Sequence, residues 1–365
     1  MKQHTILHIV GARPNFMKAA AVILASRKMS DAIHSVVHTG QHYDSALSDV
    51  FFQELGLPQP QHHLGVGSGT HAEQTGTIMM KFEQILQQAR PPSCVIVYGD
   101  VNSTMACALV CAKLGIMIAH IEAGLRSFDR TMPEEINRVL TDHVSDILFT
   151  TEESASKNLL SEGIPDTRVF FAGNTMIDTL MHFRAKAMQS SILQRLNLAP
   201  KTYGVVTLHR PGNVDSVGSF REVLSSIVEI SAKIPIVFPC HPRSQANLHR
   251  FNIPLGSIML LPPLGYLDFL CLMAQAKVVL TDSGGIQEET TALGIPCLTI
   301  RENTERPVTV TSGTNILTGI SQSKIMEEIQ KILAGHIPSG QIPPFWDGHA
   351  GERIIQILSH ELSIS

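Results

Sequence analysis

Three carboxylates in the first half of the chain stand where a side chain can do acid–base chemistry. Asp100 and Glu122 each follow a short apolar run, which predicts a carboxylate at the carboxyl end of a buried strand. Glu134 follows Pro133 at the predicted start of a helix. Like charges crowded into a cleft raise the pKa of a carboxyl group and prepare it for proton transfer. A structural interpretation stands beside this one, because Asp100 also fits a helix cap and Glu134 also complements a helix dipole.

A second candidate site is a glycine turn between an apolar run and a helix-permissive stretch, with the sequence Thr281-Asp282-Ser283-Gly284-Gly285-Ile286-Gln287-Glu288-Glu289. The pattern predicts strand, tight turn and helix N-terminus. Free N–H groups and the helix dipole favour an anion there, and Ser283, Gly284 and Gly285 leave room for a diphosphate. Glu289, one turn on, is suited to ribose hydroxyls. A plain strand-to-helix turn is the alternative.

Several basic residues are predicted at similar positions. Arg13 and Lys18 emerge where the first strand meets its helix, and Arg306 follows the strand after the glycine turn. Guanidinium and ammonium groups at such loops bind phosphates, although a pair of solvated surface charges explains Arg13 and Lys18 equally well.

A histidine and an arginine, His209 and Arg210, end the apolar run 205–208 and are predicted at a strand tip where open α/β sheets bind ligands. We interpret His209 as functional because Arg210 adjoins it. His241 repeats this placement on the following strand.

Short apolar runs alternate with longer amphipathic stretches through the whole chain, which predicts an α/β protein with two doubly wound Rossmann-like domains facing across a cleft. The pattern restarts after residue 173, so we predict an N-terminal domain at 1–172 that carries the acid/base residues and a C-terminal domain at 173–349 that carries the phosphate-binding glycine turn. The last helix, within 350–365, is predicted to pack back on the first domain.

Composition excludes several classes of function. The net charge of −4 gives no basic footprint for nucleic acid. The six cysteines sit singly in apolar runs without zinc-ligand spacing, which favours a reducing compartment. No apolar run reaches the roughly 18 residues that a membrane helix needs. We therefore expect a soluble cytoplasmic protein without a membrane or nucleic-acid partner.

Together these motifs resemble the non-hydrolysing UDP-N-acetylglucosamine 2-epimerases over essentially the whole chain. The motifs that carry the resemblance are Gly11-Ala12-Arg13-Pro14, Gly99-Asp100, His120-Ile121-Glu122-Ala123-Gly124-Leu125-Arg126, Pro133-Glu134-Glu135-Ile136-Asn137-Arg138, His209-Arg210, Asp282-Ser283-Gly284-Gly285-Ile286-Gln287-Glu288-Glu289 and Thr304-Glu305-Arg306-Pro307.

The resemblance implies a B-type glycosyltransferase-like fold and the reversible interconversion of UDP-N-acetylglucosamine and UDP-N-acetylmannosamine. UDP is eliminated to give 2-acetamidoglucal and is then re-added. Such chemistry requires no metal or redox cofactor. The resemblance also implies a homodimer and a role in surface polysaccharide synthesis.

The resemblance assigns roles to individual positions. The implied catalytic residues are Asp100, Glu122, Glu134 and His209. The implied substrate-binding residues are Arg13, Lys18, Arg210, Ser283, Gly284, Gly285, Glu289 and Arg306. Gln41, Arg210 and His241 match positions that bind a second UDP-N-acetylglucosamine as an activator in some relatives, whereas residues 65–70 lack the arginine of activator-dependent relatives.

Two further activities remain compatible with these motifs. A hydrolysing 2-epimerase would release free N-acetylmannosamine and UDP. A glycosyltransferase on the same fold would use the glycine turn for any nucleotide-sugar donor, but it needs no base for C2. The related enzymes also include some that act on 3-acetamido or uronic UDP-sugars.

Overall fold

The computed structural model describes residues 4–29, 32–41, 52–88, 90–240 and 242–364. The chain divides into two compact units, the first comprising Met1–His182 with Pro344–Ser365 and the second comprising Phe183–Pro343. Each unit is built around a parallel sheet, as expected where buried strands alternate with crossover helices.

The first unit begins with a regular alternation of strands and helices. Its elements up to the unit boundary are β1 (Thr5–Val10), α1 (Arg13–Met29), β2 (Ile33–His38), β3 (His62–His63), α2 (His71–Gln88), β4 (Cys94–Tyr98), α3 (Asn102–Leu114), β5 (Ile118–Ala123), α4 (Pro133–Val144), β6 (Ile147–Thr150), α5 (Glu153–Ser161), β7 (Val169–Phe171) and α6 (Thr175–Ala187). The strand order is β3-β2-β1-β4-β5-β6-β7, and every neighbouring pair is parallel.

The second unit repeats this plan with a smaller sheet. Its elements are α7 (Ile192–Arg195), β8 (Gly204–Thr207), α8 (Pro211–Val214), α9 (Val217–Ser231), β9 (Ile236–Pro239), α10 (Pro242–Phe251), β10 (Met259–Leu261), α11 (Tyr266–Ala274), β11 (Val278–Thr281), α12 (Gly284–Leu293), β12 (Cys297–Thr299), α13 (Pro307–Thr311), β13 (Asn315–Leu317) and α14 (Gln322–Leu333). The order is β10-β9-β8-β11-β12-β13, again parallel throughout.

Both sheets are buried on their two faces, which explains why their strands read as continuous apolar runs. All five residues of β4 are buried, as are all four of β11. The apolar side of the first sheet packs on residues such as Ile78 and Phe82 of α2, and the second sheet packs on Phe220 and Leu224 of α9. The predicted pair of parallel α/β units is therefore present.

The last helix, α15 (Ala350–Ile364), belongs to the first unit and packs against α1. A Cβ atom on Gly351 would lie 2.7 Å from the carbonyl oxygen of Ala21, so the two helices approach closely because this residue is glycine. The compact units divide between His182 and Phe183. The first turns of α6 stay with the first unit, where Thr179 Oγ1 donates a hydrogen bond to Met17 O at 2.7 Å.

Strand order reverses at one place in each sheet, between β1 and β4 in the first unit and between β8 and β11 in the second. Open parallel sheets bind ligands outside the carboxyl ends of the strands at such switch points. Arg13 and Asp100 follow the two strands of the first switch point, and His209 and Ser283 follow those of the second. The fold thus brings together, within each unit, residues that lie far apart in sequence.

Candidate active site

The first switch point is held by Asn15, which the motif analysis did not single out. Asn15 Oδ1 accepts hydrogen bonds from the backbone N–H groups of Gly11 and Ala12, each at 3.1 Å. Its Nδ2 donates to Tyr98 O at 2.9 Å. Because Gly11 follows β1 and Tyr98 ends β4, one buried side chain fixes the spacing of the two strand ends.

A buried ion pair joins Lys18 to Glu122, with Nζ 2.7 Å from Oε1. Glu122 has a φ of 71°, and the register between β5 and β6 shifts at this residue, so Glu122 is the extra residue of a bulge. Bulges re-aim side chains beside active sites, and a left-handed glutamate costs about 1–3 kcal/mol. The strain therefore supports a functional interpretation of Glu122.

Glycine at position 99 makes room for this pair. Gly99 has a φ of 64°, and a Cβ atom there would lie 2.8 Å from Lys18 Nζ and 3.4 Å from Glu122 Oε1. Any other residue would be strained in this conformation and would press on the ammonium group. The turn that carries Asp100 and the ion pair of Glu122 are thus packed against each other.

The half-buried Asp100 carboxylate accepts a hydrogen bond from the buried guanidinium of Arg138. The side chain of the neighbouring Asn137 donates to Asp100 O at 2.9 Å and to Asn102 Oδ1 at 3.1 Å. Both anchors come from α4, one helical turn after Glu134. The helix that carries one predicted carboxylate therefore positions another.

The two adjacent glutamates of α4 have different environments. Glu135 is buried and accepts hydrogen bonds from Ser127 N at 2.8 Å and from Phe128 N at 3.1 Å, so it anchors the loop before the helix. Glu134 is half-buried, and its side chain makes no hydrogen bond or ion pair with any residue in the described ranges. Glu134 is thus the member of the pair that is available to a ligand.

A buried polar network lies behind these carboxylates. His120 Nε2 lies 2.7 Å from Gly99 O, and its Nδ1 lies 2.7 Å from Asp142 Oδ1. Arg126 Nη1 approaches the other oxygen of Asp142 at 2.7 Å. Burial by itself would raise the pKa of Asp142, but the hydrogen bonds and charges of His120 and Arg126 outweigh burial and lower it. The ionised Asp142 therefore holds His120 against the turn that precedes Asp100.

The remaining predicted residues of the first unit have contrasting positions. Arg13 is exposed in the first turn of α1. Gln41 is buried, and its Oε1 accepts hydrogen bonds from Ser103 N at 2.9 Å and from Ser103 Oγ at 2.7 Å. Gln41 thus joins β2 to the start of α3. His241, predicted in the second unit, lies outside the described residues.

In the second unit the carboxylate of Asp282 organises the loop after β8. Asp282 Oδ1 lies 2.8 Å from His209 Nδ1. Oδ2 accepts from His209 N at 3.0 Å, Arg210 N at 2.9 Å and Asn213 Nδ2 at 3.1 Å. This buried aspartate presents His209, whose side chain is 45% exposed, at the second switch point.

Ser283 is the N-cap residue of α12, and its side chain makes no capping hydrogen bond. The hydroxyl is therefore not used by the helix. A Cβ atom on Gly284 would lie 2.6 Å from Arg306 Nη1, so glycine here lets the guanidinium lie against the first turn. Gly285 is half-buried beside it. The predicted strand–turn–helix is present, with an arginine at the helix N-terminus where an anion is favoured.

Three arginines converge on this turn around shared carboxylates. Glu305 Oε1 lies 3.2 Å from Arg210 Nη2 and 3.1 Å from Arg301 Nη2, and Glu305 Oε2 lies 3.0 Å from Arg306 Nη1. Arg306 Nε lies 3.0 Å from Glu288 Oε1. Burial, followed by the positive charge of Arg210, lowers the pKa of Arg301. These contacts gather three guanidinium groups around Glu305, and that of Arg306 lies at the start of α12, where an anionic ligand is favoured.

Glu289, predicted to contact ribose, is buried near the middle of α12. Several residues that support the candidate sites were not assigned a role from sequence, among them Asn15, Asp282, Arg301 and Glu305. Asp282 and Glu305 both lie inside the quoted motifs, and an aspartate directly after a buried strand was the available signal. Arg301 and Asn15 carry no spacing that distinguishes them from solvated polar residues.

Among the described residues, no group of three or more His, Cys, Asp and Glu side chains is arranged to hold a metal ion. In the same part of the chain, no helix combines the length and apolar character needed to cross a membrane. The described side chains place carboxylates in the first unit and an arginine beside a helix N-terminus in the second, groups that serve acid–base chemistry and anion binding respectively.

Comparison with known proteins identifies the family of this chain. A family model described as UDP-N-acetylglucosamine 2-epimerase matches residues 24–359. The chain is 43% identical over 362 residues to the UDP-N-acetylglucosamine 2-epimerase of Methanocaldococcus jannaschii, covering 96% of this chain and 98% of the relative. It is 39% identical over 359 residues to the UDP-2,3-diacetamido-2,3-dideoxy-D-glucuronate 2-epimerase of Pseudomonas aeruginosa, covering 97% and 99%.

A crystal structure of the Methanocaldococcus jannaschii enzyme in complex with UDP-GlcNAc and UDP is similar to this fold, with a TM-score of 0.90 and 41% identity over 98% of this chain and 99% of that one. The predicted glycosyltransferase-like fold class and the predicted family are therefore confirmed. This chain belongs to the UDP-N-acetylglucosamine 2-epimerase family.

Proposed function

We propose that this protein catalyses the reversible C2 epimerisation of a UDP-2-acetamido sugar, with UDP-N-acetylglucosamine and UDP-N-acetylmannosamine as the substrate pair. The observation that carries the proposal is the strained, buried Glu122 paired with Lys18, beside the Asp100–Arg138 pair, in which Asp100 follows the adjacent strand. A glycosyltransferase needs no base for C2, whereas removal and return of a C2 proton requires carboxylates close to that carbon.

The proposed reaction is an elimination followed by an addition. A carboxylate takes the C2 proton, the C2–H electron pair becomes the C1=C2 double bond of 2-acetamidoglucal, and the C1–O electron pair leaves with UDP. Re-addition of UDP with a proton delivered to the opposite face of C2 gives the epimer. Asp100, Glu122 and Glu134 are the proposed acid–base groups. More than one is needed because a proton is removed from one face of C2 and a proton is returned to the opposite face.

The second unit supplies the proposed site for the leaving group. The N-terminus of α12, the unused hydroxyl of Ser283 and the guanidinium of Arg306 would stabilise the diphosphate. His209 and Arg210 flank the same switch point. Glu289 is the proposed ribose ligand, and Arg13 and Lys18 are the proposed contacts from the first unit. No metal or redox cofactor enters this scheme.

The choice of sugar is the finer part of the proposal. The similarity to the Methanocaldococcus jannaschii enzyme, at 43% identity, favours UDP-N-acetylglucosamine. The Pseudomonas aeruginosa relative, at 39%, makes a UDP-2,3-diacetamido uronate the second candidate. In either case we propose a cytoplasmic enzyme that supplies surface polysaccharide synthesis.

The test is incubation of the purified protein with each UDP-2-acetamido sugar in D2O, followed by NMR. We expect deuterium at C2 in both epimers and no net release of free UDP. A stoichiometric rise of UDP with free N-acetylmannosamine would instead identify a hydrolysing epimerase. Epimer without deuterium at C2, or no exchange with any of the sugars, would contradict the proposed mechanism.

We also propose that two copies of the chain associate through the outer face of α2, α3 and α4. An open groove of about 400 Å³ runs between these helices and is lined by Met105 and Ile136, among others. Leu140, one turn after Ile136, is 49% exposed. Apart from Lys113, α3 has no charged residue, and a helix that is apolar on all sides is normally covered.

Light scattering of the purified protein tests the dimer. Leu140→Glu should shift the mass toward the monomer, because it buries a charge in the proposed interface. Leu160→Glu, at a similarly exposed leucine of α5, is the matched control and should remain a dimer. A wild-type monomer, or a dimer in both variants, would contradict this interface.

Regulation by a second UDP-N-acetylglucosamine, involving Gln41, Arg210 and His241, is a further part of the proposal. The side-chain oxygen of Gln41 accepts hydrogen bonds from Ser103. We therefore propose that Gln41 acts in regulation through its contact with Ser103. A lag in the reverse reaction that is abolished by a trace of UDP-N-acetylglucosamine would support it. Linear progress from UDP-N-acetylmannosamine alone would contradict it.

A further inference from the structure

The pair formed by His209 and Asp282 has an arrangement that goes beyond binding of a diphosphate. The imidazole is 45% exposed, whereas the carboxylate that holds it is fully buried. The two oxygens of Asp282 share one donor, His209 N, at 3.2 Å from Oδ1 and 3.0 Å from Oδ2, but differ in their other partners. Oδ1 faces His209 Nδ1 at 2.8 Å, while Oδ2 accepts from Arg210 N at 2.9 Å and from Asn213 Nδ2 at 3.1 Å.

These contacts determine where the imidazole carries its proton. Burial alone would raise the pKa of Asp282, but the hydrogen bond and charge of His209, together with the backbone donors, lower it below the usual value. The ionised carboxylate can only accept hydrogen bonds, so the atom facing Oδ1 must be a donor. The proton of the neutral imidazole therefore lies on Nδ1, and Nε2 points away from the buried carboxylate.

We propose that Asp282 is a positioning residue for the epimerase reaction. It holds His209 with a proton on Nδ1, so that Nε2 is the nitrogen presented to the diphosphate of the UDP-sugar. This inference rests on the proposed function, since it assigns His209 to the leaving group.

The step balances without an additional reactant. When UDP departs, the C1–O bond breaks, its electron pair moves to the diphosphate oxygen, and the C2 proton passes to a carboxylate of the first unit. A protonated His209 donates a hydrogen bond from Nε2–H to that oxygen and keeps its proton. The hydrogen bond from Nδ1–H to Asp282 fixes the ring for this contact.

Replacement of Asp282 by asparagine separates this role from loop structure. The backbone donors require an oxygen at the Oδ2 position, so the amide oxygen should remain there and the NH2 group should occupy the Oδ1 position. That NH2 group would donate to His209 Nδ1 and move the imidazole proton to Nε2. Asp282→Asn is therefore expected to keep the loop and to reverse the tautomer.

The experiment uses the full chain labelled with ¹⁵N-histidine and long-range ¹H–¹⁵N spectra, with His209 assigned by comparison with His209→Gln. We expect the neutral proton on Nδ1 in the wild type and on Nε2 in Asp282→Asn. We also expect kcat to fall by ~100-fold or more, with KM within about threefold of the wild type, because the amide NH2 cannot accept a hydrogen bond from Nδ1–H and the doubly protonated ring used in the step loses its partner. Asp268→Asn, which removes the partner of Arg195 elsewhere in the second unit, is the control and should change neither measurement.

Several outcomes would overturn the proposal. A wild-type His209 with its neutral proton on Nε2 would do so without any variant. Loss of turnover in Asp282→Asn with an unchanged tautomer would show a purely structural role. If Asp282→Asn does not fold, Asp282→Glu provides the comparison, and it should keep the Nδ1 proton and retain more activity than Asp282→Ala. These outcomes can be distinguished from failure of the proposed function. If the function is wrong, the wild type shows no C2 exchange, but the spectra still report the tautomer of His209.

Discussion

Lys18 and Glu122 form an ion pair of 2.7 Å in the interior of the first unit, and the glutamate adopts a left-handed backbone conformation at a bulge. A buried ion pair is weak evidence for stability, because desolvation of both charges offsets much of their attraction. A strained backbone at the same residue adds a further cost. The combination is better explained by a catalytic requirement than by a structural one.

We therefore predict that Glu122→Gln lowers the rate of C2 exchange by ~100-fold or more, as expected on loss of a general acid or base. UDP affinity, measured by calorimetry, should remain close to that of the wild type, because the proposed leaving-group site lies in the second unit. Glu153→Gln, at an exposed residue that pairs with Lys157, is the matched control. Full activity of Glu122→Gln would remove this residue from the mechanism.

The glycine beside the ion pair gives a second prediction. In Gly99→Ala the new Cβ atom would lie 2.8 Å from Lys18 Nζ. The alanine would also have to adopt the backbone φ of 64° that Gly99 has. In Gly115→Ala the backbone conformation is similar, with a φ of 66°, but nothing lies within 4 Å. Both variants should lose about 1–2 kcal/mol of stability from the left-handed backbone, and only Gly99→Ala should also lose C2 exchange.

Chemical unfolding and the exchange assay on the same preparations distinguish these effects. Equal activity in the two alanine variants would show that the Lys18–Glu122 pair tolerates displacement. That result would also weaken the catalytic assignment of Glu122.

The adjacent glutamates of α4 should separate stability from catalysis. Glu135→Gln places an NH2 group against the N–H donors of Ser127 and Phe128, so it should lower the unfolding temperature. Glu134→Gln removes no contact to the described residues, so we expect an unchanged unfolding temperature and a loss of turnover of ~100-fold or more. Scanning calorimetry measures the unfolding temperature of each variant, and steady-state assays measure its turnover. Normal turnover in Glu134→Gln would leave Asp100 and Glu122 as the acid–base pair.

Asp178 gives a prediction about pH. It accepts a hydrogen bond from Gly351 N at 2.7 Å at the start of α15, and burial raises its pKa to about 6. Because the folded value exceeds the unfolded value, the stability that Asp178 contributes is complete below about pH 4 and is lost as pH rises through about 6. A difference of about 2 units corresponds to roughly 3 kcal/mol.

The measurement is the free energy of unfolding of wild type and Asp178→Asn between about pH 4 and pH 7. Asparagine has no titrating carboxyl, so the stability of the wild type relative to this variant should decrease as pH rises. Asp166→Asn, at an exposed turn residue, should follow the wild type. Parallel curves for wild type and Asp178→Asn would contradict the raised pKa.

The sequence by itself determined the parallel α/β class and the family. Buried parallel strands leave long apolar runs such as residues 94–98, and glycine turns such as Ser283-Gly284-Gly285 leave a local pattern that needs no tertiary information. The two-residue strand β3 leaves no readable period in the sequence.

Only the tertiary structure decided how the candidate residues are used. Lys18 and Glu122, or His209 and Asp282, are separated by long stretches of chain, and their contacts depend on strand order and on a bulge that local propensity does not encode. The same holds for Glu134 and Glu135, which read alike in sequence but differ in burial and partners. Side-chain types determine which chemistry is available, whereas the packing of distant segments determines which side chain performs it.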